Sequence, residues 1–151
     1  MTLTTLGYLI KDNKYLMLHR TKKENDINAE KYIGVGGHIE EGESPFDCIK
    51  REVFEETGLV LNSAVCRGYL TFVMGKETEH TILFTSEDFT GQLVNECDEG
   101  ELAWVDIDKV FDLNLWEGDY IFLRLLSEKR DFFSLKLVYD ENNNLIDSIL
   151  E

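Results

Sequence analysis

Between Gly36 and Leu59 the chain reads GGHIEEGESPFDCIKREVFEETGL, a run that is helical in its second half and crowded with glutamate. Ser44 suits an N-cap, Pro45 the first helical position, and Asp47 the first turn, where a carboxylate meets the positive end of the helix dipole. Gly58 is the stop, because glycine enters the left-handed conformation that ends a helix without steric cost. Phe46, Ile49 and Val53 recur at spacings of three and four and predict the core face. Glu52, Glu55 and Glu56 then share a neighbouring face, since ~100° per residue brings i, i+3 and i+4 together. Like charges so placed cost a helix about 0.2–0.5 kcal/mol per pair, so something outside the helix must offset the repulsion.

Clustered glutamates are commonly a solvated helix face. Here they follow a loop containing Gly34, Gly36, Gly37 and Gly42, a backbone predicted to turn repeatedly and to let another group approach closely. Three carboxylates opposite such a loop form an oxygen donor set for a hard divalent cation. Mg²⁺ is the expected one, since it keeps several waters and is shared with substrate phosphates. Arg51, four residues before Glu55, is placed to hold that carboxylate, and Glu43 can do similar work from the loop.

The rest of the chain reads as short strands with few helices. LTTLGYLI and YLMLH flank KDN and predict a hairpin, while TKKENDINAEK has no periodicity and is expected to be a loop. AVCRGYLTFVMG and HTILFTSED predict strands joined through KETE, and ELAWVD predicts another, in a sheet that is mixed or antiparallel in part. DIDKVFDL suggests a short helix, and WEGDYIFLRLLSEK a longer one through Phe122, Leu125 and Leu126. The final DFFSLKLVYDENNNLIDSIL predicts a closing hairpin turning at its asparagines. With 151 residues, the chain fits one compact domain over residues 1–151.

A net charge of -15 makes nucleic acid and anionic membranes poor partners unless cations intervene. Cys48, Cys66 and Cys97 lack any CxxC spacing, which argues against a disulfide framework or a structural zinc site. The opening MTLTTLGYLIKDNKY lacks the pattern of a secretion signal, and no stretch approaches the ~18 apolar residues of a membrane span. The expectation is a soluble cytoplasmic protein, a monomer or homodimer, whose partner is a small molecule.

The spacing within the charged run is Gly37, five residues, Glu43, seven residues, then Arg51-Glu52-Val53-Phe54-Glu55-Glu56-Thr57-Gly58-Leu59. In this the chain resembles the Nudix hydrolases, whose box G-x5-E-x7-R-E-U-x-E-E-x-G-U, with U apolar, it matches at every fixed position. The resemblance implies an α/β/α sandwich with a mixed β-sheet and a loop-helix-loop catalytic element. It further implies hydrolysis of a nucleoside diphosphate linked to another group. By that likeness the Gly37 carbonyl, Glu52, Glu55 and Glu56 bind the metals, with Mn²⁺ as a substitute for Mg²⁺, and Glu43 and Arg51 orient the ligands. A further carboxylate from a later loop would be Glu99, with Glu101 second. Either Glu52 or Glu99 would take or orient the proton of the attacking water, and Arg20 would face the polyphosphate.

The likeness extends along most of the chain, and the C-terminal part is similar to the oxidised-purine nucleoside triphosphatases of the MutT/MutX-like branch. There a Trp followed closely by an Asp lines the base pocket, which implies Trp116 and Asp119 here, with Phe72 as a second aromatic wall. The implied substrate is 8-oxo-dGTP, and the implied role is nucleotide-pool sanitation in support of DNA repair. Ile33 stands where the animal enzymes have Asn, and His38 where a substrate-facing Lys is usual. Trp116 and Phe72 also fit as core aromatics, Asp119 as a first-turn carboxylate, and Arg20 as a surface ion pair. Two other readings remain open. One is a broad nucleotide pyrophosphatase acting on ADP-ribose or another nucleoside diphosphate derivative, and the other is a nucleotide-sensing module without turnover.

Overall fold

A computed structural model describes residues 1–151. The chain opens with β1 (Thr2–Lys11) and β2 (Lys14–Arg20), joined by Asp12 and Asn13 at φ 52° and 60°. Two successive positive φ values make the tight hairpin turn whose twist matches that of the strands, and Asp and Asn tolerate it. After the loop come β3 (Tyr32–Ile33), β4 (Val35–His38) and α1 (Pro45–Thr57). Then follow β5 (Leu59–Leu61), β6 (Val65–Met74), β7 (Glu77–Ser86), β8 (Phe89–Gly91), β9 (Glu96–Cys97) and β10 (Gly100–Asp106). A 3₁₀ turn over Ile107–Asp112 leads to α2 (Glu117–Ser127) and the closing hairpin of β11 (Phe133–Tyr139) and β12 (Leu145–Leu150).

The main sheet runs β12-β11-β6-β7-β1-β2-β10-β9, with β3 on β2 and β4 on β1. It is mixed, as expected: β1 with β7 and β6 with β11 are parallel, and the other pairs are antiparallel. β1 pairs with β2 only beside the turn, at Ile10 with Tyr15 and Lys11 with Lys14. Its N-terminal half takes β4 as partner instead, from Thr4 with His38 to Gly7 with Val35. The sheet therefore opens at β1, and β4 carries the glycine-rich segment into the opening.

Each helix covers one face. Alternation along the strands sends Leu9, Leu16 and Leu18 to one side, where Ile49 and Val53 of α1 meet them, and Tyr8, Tyr15 and Met17 to the other, beneath Phe122 and Leu123 of α2. The result is the α/β/α sandwich. Burying side chains of this size stabilises the fold by about 1.5–3 kcal/mol each, so the two helices are docked mainly by these faces. None of the helices is long and apolar enough to cross a membrane.

The glycine-rich loop departs from expectation. Of its four glycines only Gly42 has a positive φ, 81°, and Gly36 and Gly37 lie within β4 as extended backbone. Their value is close approach: a Cβ on Gly36 would fall 2.0 Å from the Thr5 carbonyl oxygen across the strand pair. The short strands β3, β4, β5, β8 and β9 were not foreseen either, for they hold only two to four residues each.

Candidate active site

Helix α1 begins and ends as its local chemistry dictates. Asp47 N–H donates to Ser44 Oγ and Ser44 N–H to Asp47 Oδ2, both at 3.0 Å, and Gly58 ends the helix in the left-handed conformation. Along it, Arg51 gathers the acidic side chains. Its Nε and Nη2 donate to the two Glu43 oxygens at 2.7 and 2.9 Å, while Nη1 donates to Glu52 Oε1 at 2.8 Å and Glu55 Oε2 at 3.3 Å. Nη2 also reaches the His38 carbonyl at 3.0 Å. The fork held on both oxygens of Glu43 fixes the guanidinium plane, which in turn aims Glu52. Arg51 and the Glu40 amide hold the Glu43 carboxyl below its ordinary range, and the Glu43 and Glu52 carboxylates in turn raise the Arg51 pKa further. Arg51 thus does more than the single pairing with Glu55 that the sequence suggests.

Glu52 also lies against Gly37, where a Cβ would come 2.5 Å from Glu52 Oε1, so only glycine leaves room for the carboxylate. Burial raises the Glu52 pKa, against the opposing pull of Arg51. Glu56 is buried and accepts from the Gly36 amide at 3.2 Å. Burial first, and then the neighbouring Glu99 carboxyl, push it up to about 9. Glu55 stays exposed beyond Arg51.

Glu52, Glu55, Glu56, Glu99 and the Gly37 carbonyl make an all-oxygen set that fits a hard divalent cation. The Glu56 and Glu99 carboxyls lie close enough for their charges to repel, a repulsion that a bound cation would relieve. No three of the side chains already converge as a ready cage, for Glu52 and Glu55 are turned to Arg51 and Glu56 to Glu99.

Arg20 joins this cluster to the long loop. Its Nη1 donates to Glu99 Oε2 at 2.9 Å and its Nε to Asp26 Oδ2 at 2.8 Å, and the Glu99 carbonyl accepts from Thr21 and Lys22 at 3.2 and 3.3 Å. Arg20 is thereby engaged within the protein, between Asp26 and Glu99. Glu101 is exposed on β10 opposite His19. His38 meets Arg51 through its carbonyl, and its side chain is exposed.

Trp116 and Asp119 lie together at the start of α2. Trp116 is buried, donates from Nε1 to Asn28 Oδ1 at 2.7 Å, packs edge-on to Tyr139 at 5.4 Å, and has Lys31 Nζ 5.5 Å from its ring. Asp119 is 5% exposed, and burial raises it to about 8, with only the Lys31 charge opposing. Phe72 is partly buried against the same core, opposite Leu137, and Ile33 packs there too. Asn28, Lys31 and Tyr139 were not singled out in advance, since a polar loop and a strand aromatic carry no local signal of their contact with Trp116.

These features have known counterparts. The family model described as NUDIX domain matches residues 2–126. The Bacillus subtilis protein YvcI, described as an uncharacterized Nudix hydrolase, is 32% identical over 114 residues, covering 72% of this chain and 68% of its own. A zebrafish (Danio rerio) protein named oxidized purine nucleoside triphosphate hydrolase is 29% identical over 132 residues, covering 86% and 82%. In fold, the crystal structure of the MutT protein of Bacillus halodurans superposes at a TM-score of 0.90 with 22% identity, covering 100% of this chain and 98% of that one. With the family model spanning most of its length and its box residues gathered around Arg51, the chain belongs to the Nudix family and is a Nudix hydrolase.

Proposed function

We propose that this hydrolase splits a purine nucleoside triphosphate, 8-oxo-dGTP foremost, into the monophosphate and pyrophosphate. The observation that carries the reading is the pairing of Trp116 with a buried Asp119, linked through Asn28 and the Asp26–Arg20–Glu99 chain to the carboxylates of α1. An indole can stack on a purine, and a carboxyl held near neutral can donate to or accept from a guanine-type edge. The name of the zebrafish relative agrees with that choice of substrate.

Mg²⁺, with Mn²⁺ as substitute, would be held by the Gly37 carbonyl, Glu52, Glu55, Glu56 and Glu99. It would supply positive charge to the phosphate oxygens and acidify a water. The chain's own part falls to Glu52. Burial makes this carboxylate more basic, and Arg51 keeps one oxygen fixed, so it takes the proton of the water that adds to phosphorus as the P–O bond to the leaving group breaks. Arg20 sets Glu99, and Glu43 sets Arg51, so both act on the reaction through a neighbour.

The test is pyrophosphate release from 8-oxo-dGTP, dGTP, dATP, dCTP, ADP-ribose and a dinucleoside tetraphosphate. A kcat/KM for 8-oxo-dGTP at least ~10-fold above dGTP, or ~1.4 kcal/mol of transition-state discrimination, is expected. A clear preference for ADP-ribose or the dinucleotide would overturn the pocket assignment and leave the carboxylate site standing.

A further inference from the structure

In the core beneath α2 two neighbouring buried polar groups lack well-formed hydrogen bonds within the chain. Tyr8 on β1 is 1% exposed, and its hydroxyl, near the Gly34 backbone and the Asp119 carboxyl, makes no well-formed hydrogen bond. Its ring packs against Tyr15 at 5.4 Å and Phe122 at 6.1 Å, beneath α2. Phe122 lies three residues after Asp119 on α2, which puts both on the face of the helix that Tyr8 meets. The Asp119 carboxyl is buried there too, and no hydrogen bond within the chain supports its charge. Gly34 closes a third side, for a Cβ on it would come 3.0 Å from Tyr8 Cζ.

A buried hydroxyl without a partner keeps its full desolvation cost, and folded proteins leave few such groups. Phenylalanine would fill the same space without that cost. An orphan hydroxyl next to an orphan carboxyl is therefore the mark of a missing ligand edge.

We propose that Tyr8 is a specificity-determining residue whose hydroxyl donates a hydrogen bond to the exocyclic keto oxygen of the purine received by Trp116 and Asp119. The inference rests on the reading of Trp116 and Asp119 as the base pocket. A 6-keto oxygen offers Tyr8 lone pairs, whereas a 6-amino group offers it hydrogens and leaves the phenolic proton unmatched. Asp119 then serves the neighbouring ring position, as acceptor or donor according to its proton. Tyr8 lies on the same strand that holds β4 in place, so its hydroxyl is set by the sheet itself.

The experiment compares Tyr8→Phe, Trp116→Ala and Asp119→Asn with the parent, reading kcat and KM for 8-oxo-dGTP, dGTP and dATP together with the melting temperature. Tyr8→Phe is expected to melt at the same temperature or higher, while its ratio of kcat/KM for keto over amino purines falls ~10-fold, chiefly through KM. A packing role would instead lower the melting temperature and slow all substrates alike, which would overturn the proposal. If Trp116→Ala and Asp119→Asn change the substrate ratio while Tyr8→Phe does not, the pocket stands and Tyr8 has no part in reading the base. If none of the three changes it, the base-pocket reading fails and the Tyr8 proposal with it.

Discussion

Arg51 is surrounded by Glu40, Glu43, Glu52 and Glu55, all within salt-bridge range. That arrangement accounts for a glutamate-rich helix that would otherwise repel itself. The repulsion is absorbed by one guanidinium, and Glu52 is left with a fixed orientation and a raised proton affinity. Replacing Glu52 with Gln keeps the shape and removes the charge. We expect kcat to drop at least ~100-fold, the usual worth of a general base or metal ligand, with the melting temperature nearly unchanged. Turnover within a few-fold of the parent would show that Glu52 is not the base. Arg51, Glu52 and Glu55 were legible in the sequence because their spacing on a helix is a local property. Arg20 was legible only as a cation near the site. Its pairing with Glu99 joins residues 79 positions apart, which no local pattern reports.

Among the elements, α1 was readable from its two caps and its apolar spacing, and the hairpin β1–β2 from its Asp-Asn turn. Strand β4 was not, because glycines in sequence signal turns more often than the interior of a short strand. Here their role is to let two neighbours come close, and the neighbours differ. A methyl on Gly36 meets the rigid backbone of β1, whereas one on Gly37 meets the movable end of Glu52. Gly36→Ala should therefore destabilise the fold, by about 2–3 kcal/mol or more in thermal or denaturant unfolding. Gly37→Ala should cost less than ~1 kcal/mol of stability yet lower kcat at least ~10-fold by displacing the Glu52 carboxylate. Equal effects of the two substitutions on stability would contradict this division. Of the proposed base pocket, Trp116, Asp119 and Phe72 were singled out from the sequence. Tyr8 reads as one more apolar position of an alternating strand, and its hydroxyl acquires meaning only when α2 covers it.

Across the whole molecule, buried carboxyls give stability a definite pH dependence. The unfolded Asp119 carboxyl ionises near ~3.9. Up to about 8 the folded chain thus retains a proton that the unfolded chain has lost, and stability falls as pH rises through that window. Glu56 and Glu52, raised mainly by burial, act in the same direction. Glu43, held low by Arg51, acts oppositely, and its contribution is lost only as pH falls through its depressed range. In metal-free buffer the chain should be more stable at pH 5 than at pH 7, and Asp119→Asn should recover about 1–3 kcal/mol of the loss. An unchanged pH slope in the variant would mean that Asp119 titrates normally.

The proposed reaction has the carboxylates of α1 and Glu99 cleave the triphosphate of a purine nucleotide with a divalent cation. Product analysis of 8-oxo-dGTP turnover, with Mg²⁺ and with chelator, tests it most directly. Monophosphate and pyrophosphate are expected in equal amounts with Mg²⁺, and neither with chelator. Release of orthophosphate and the diphosphate, or turnover that survives the chelator, would contradict it.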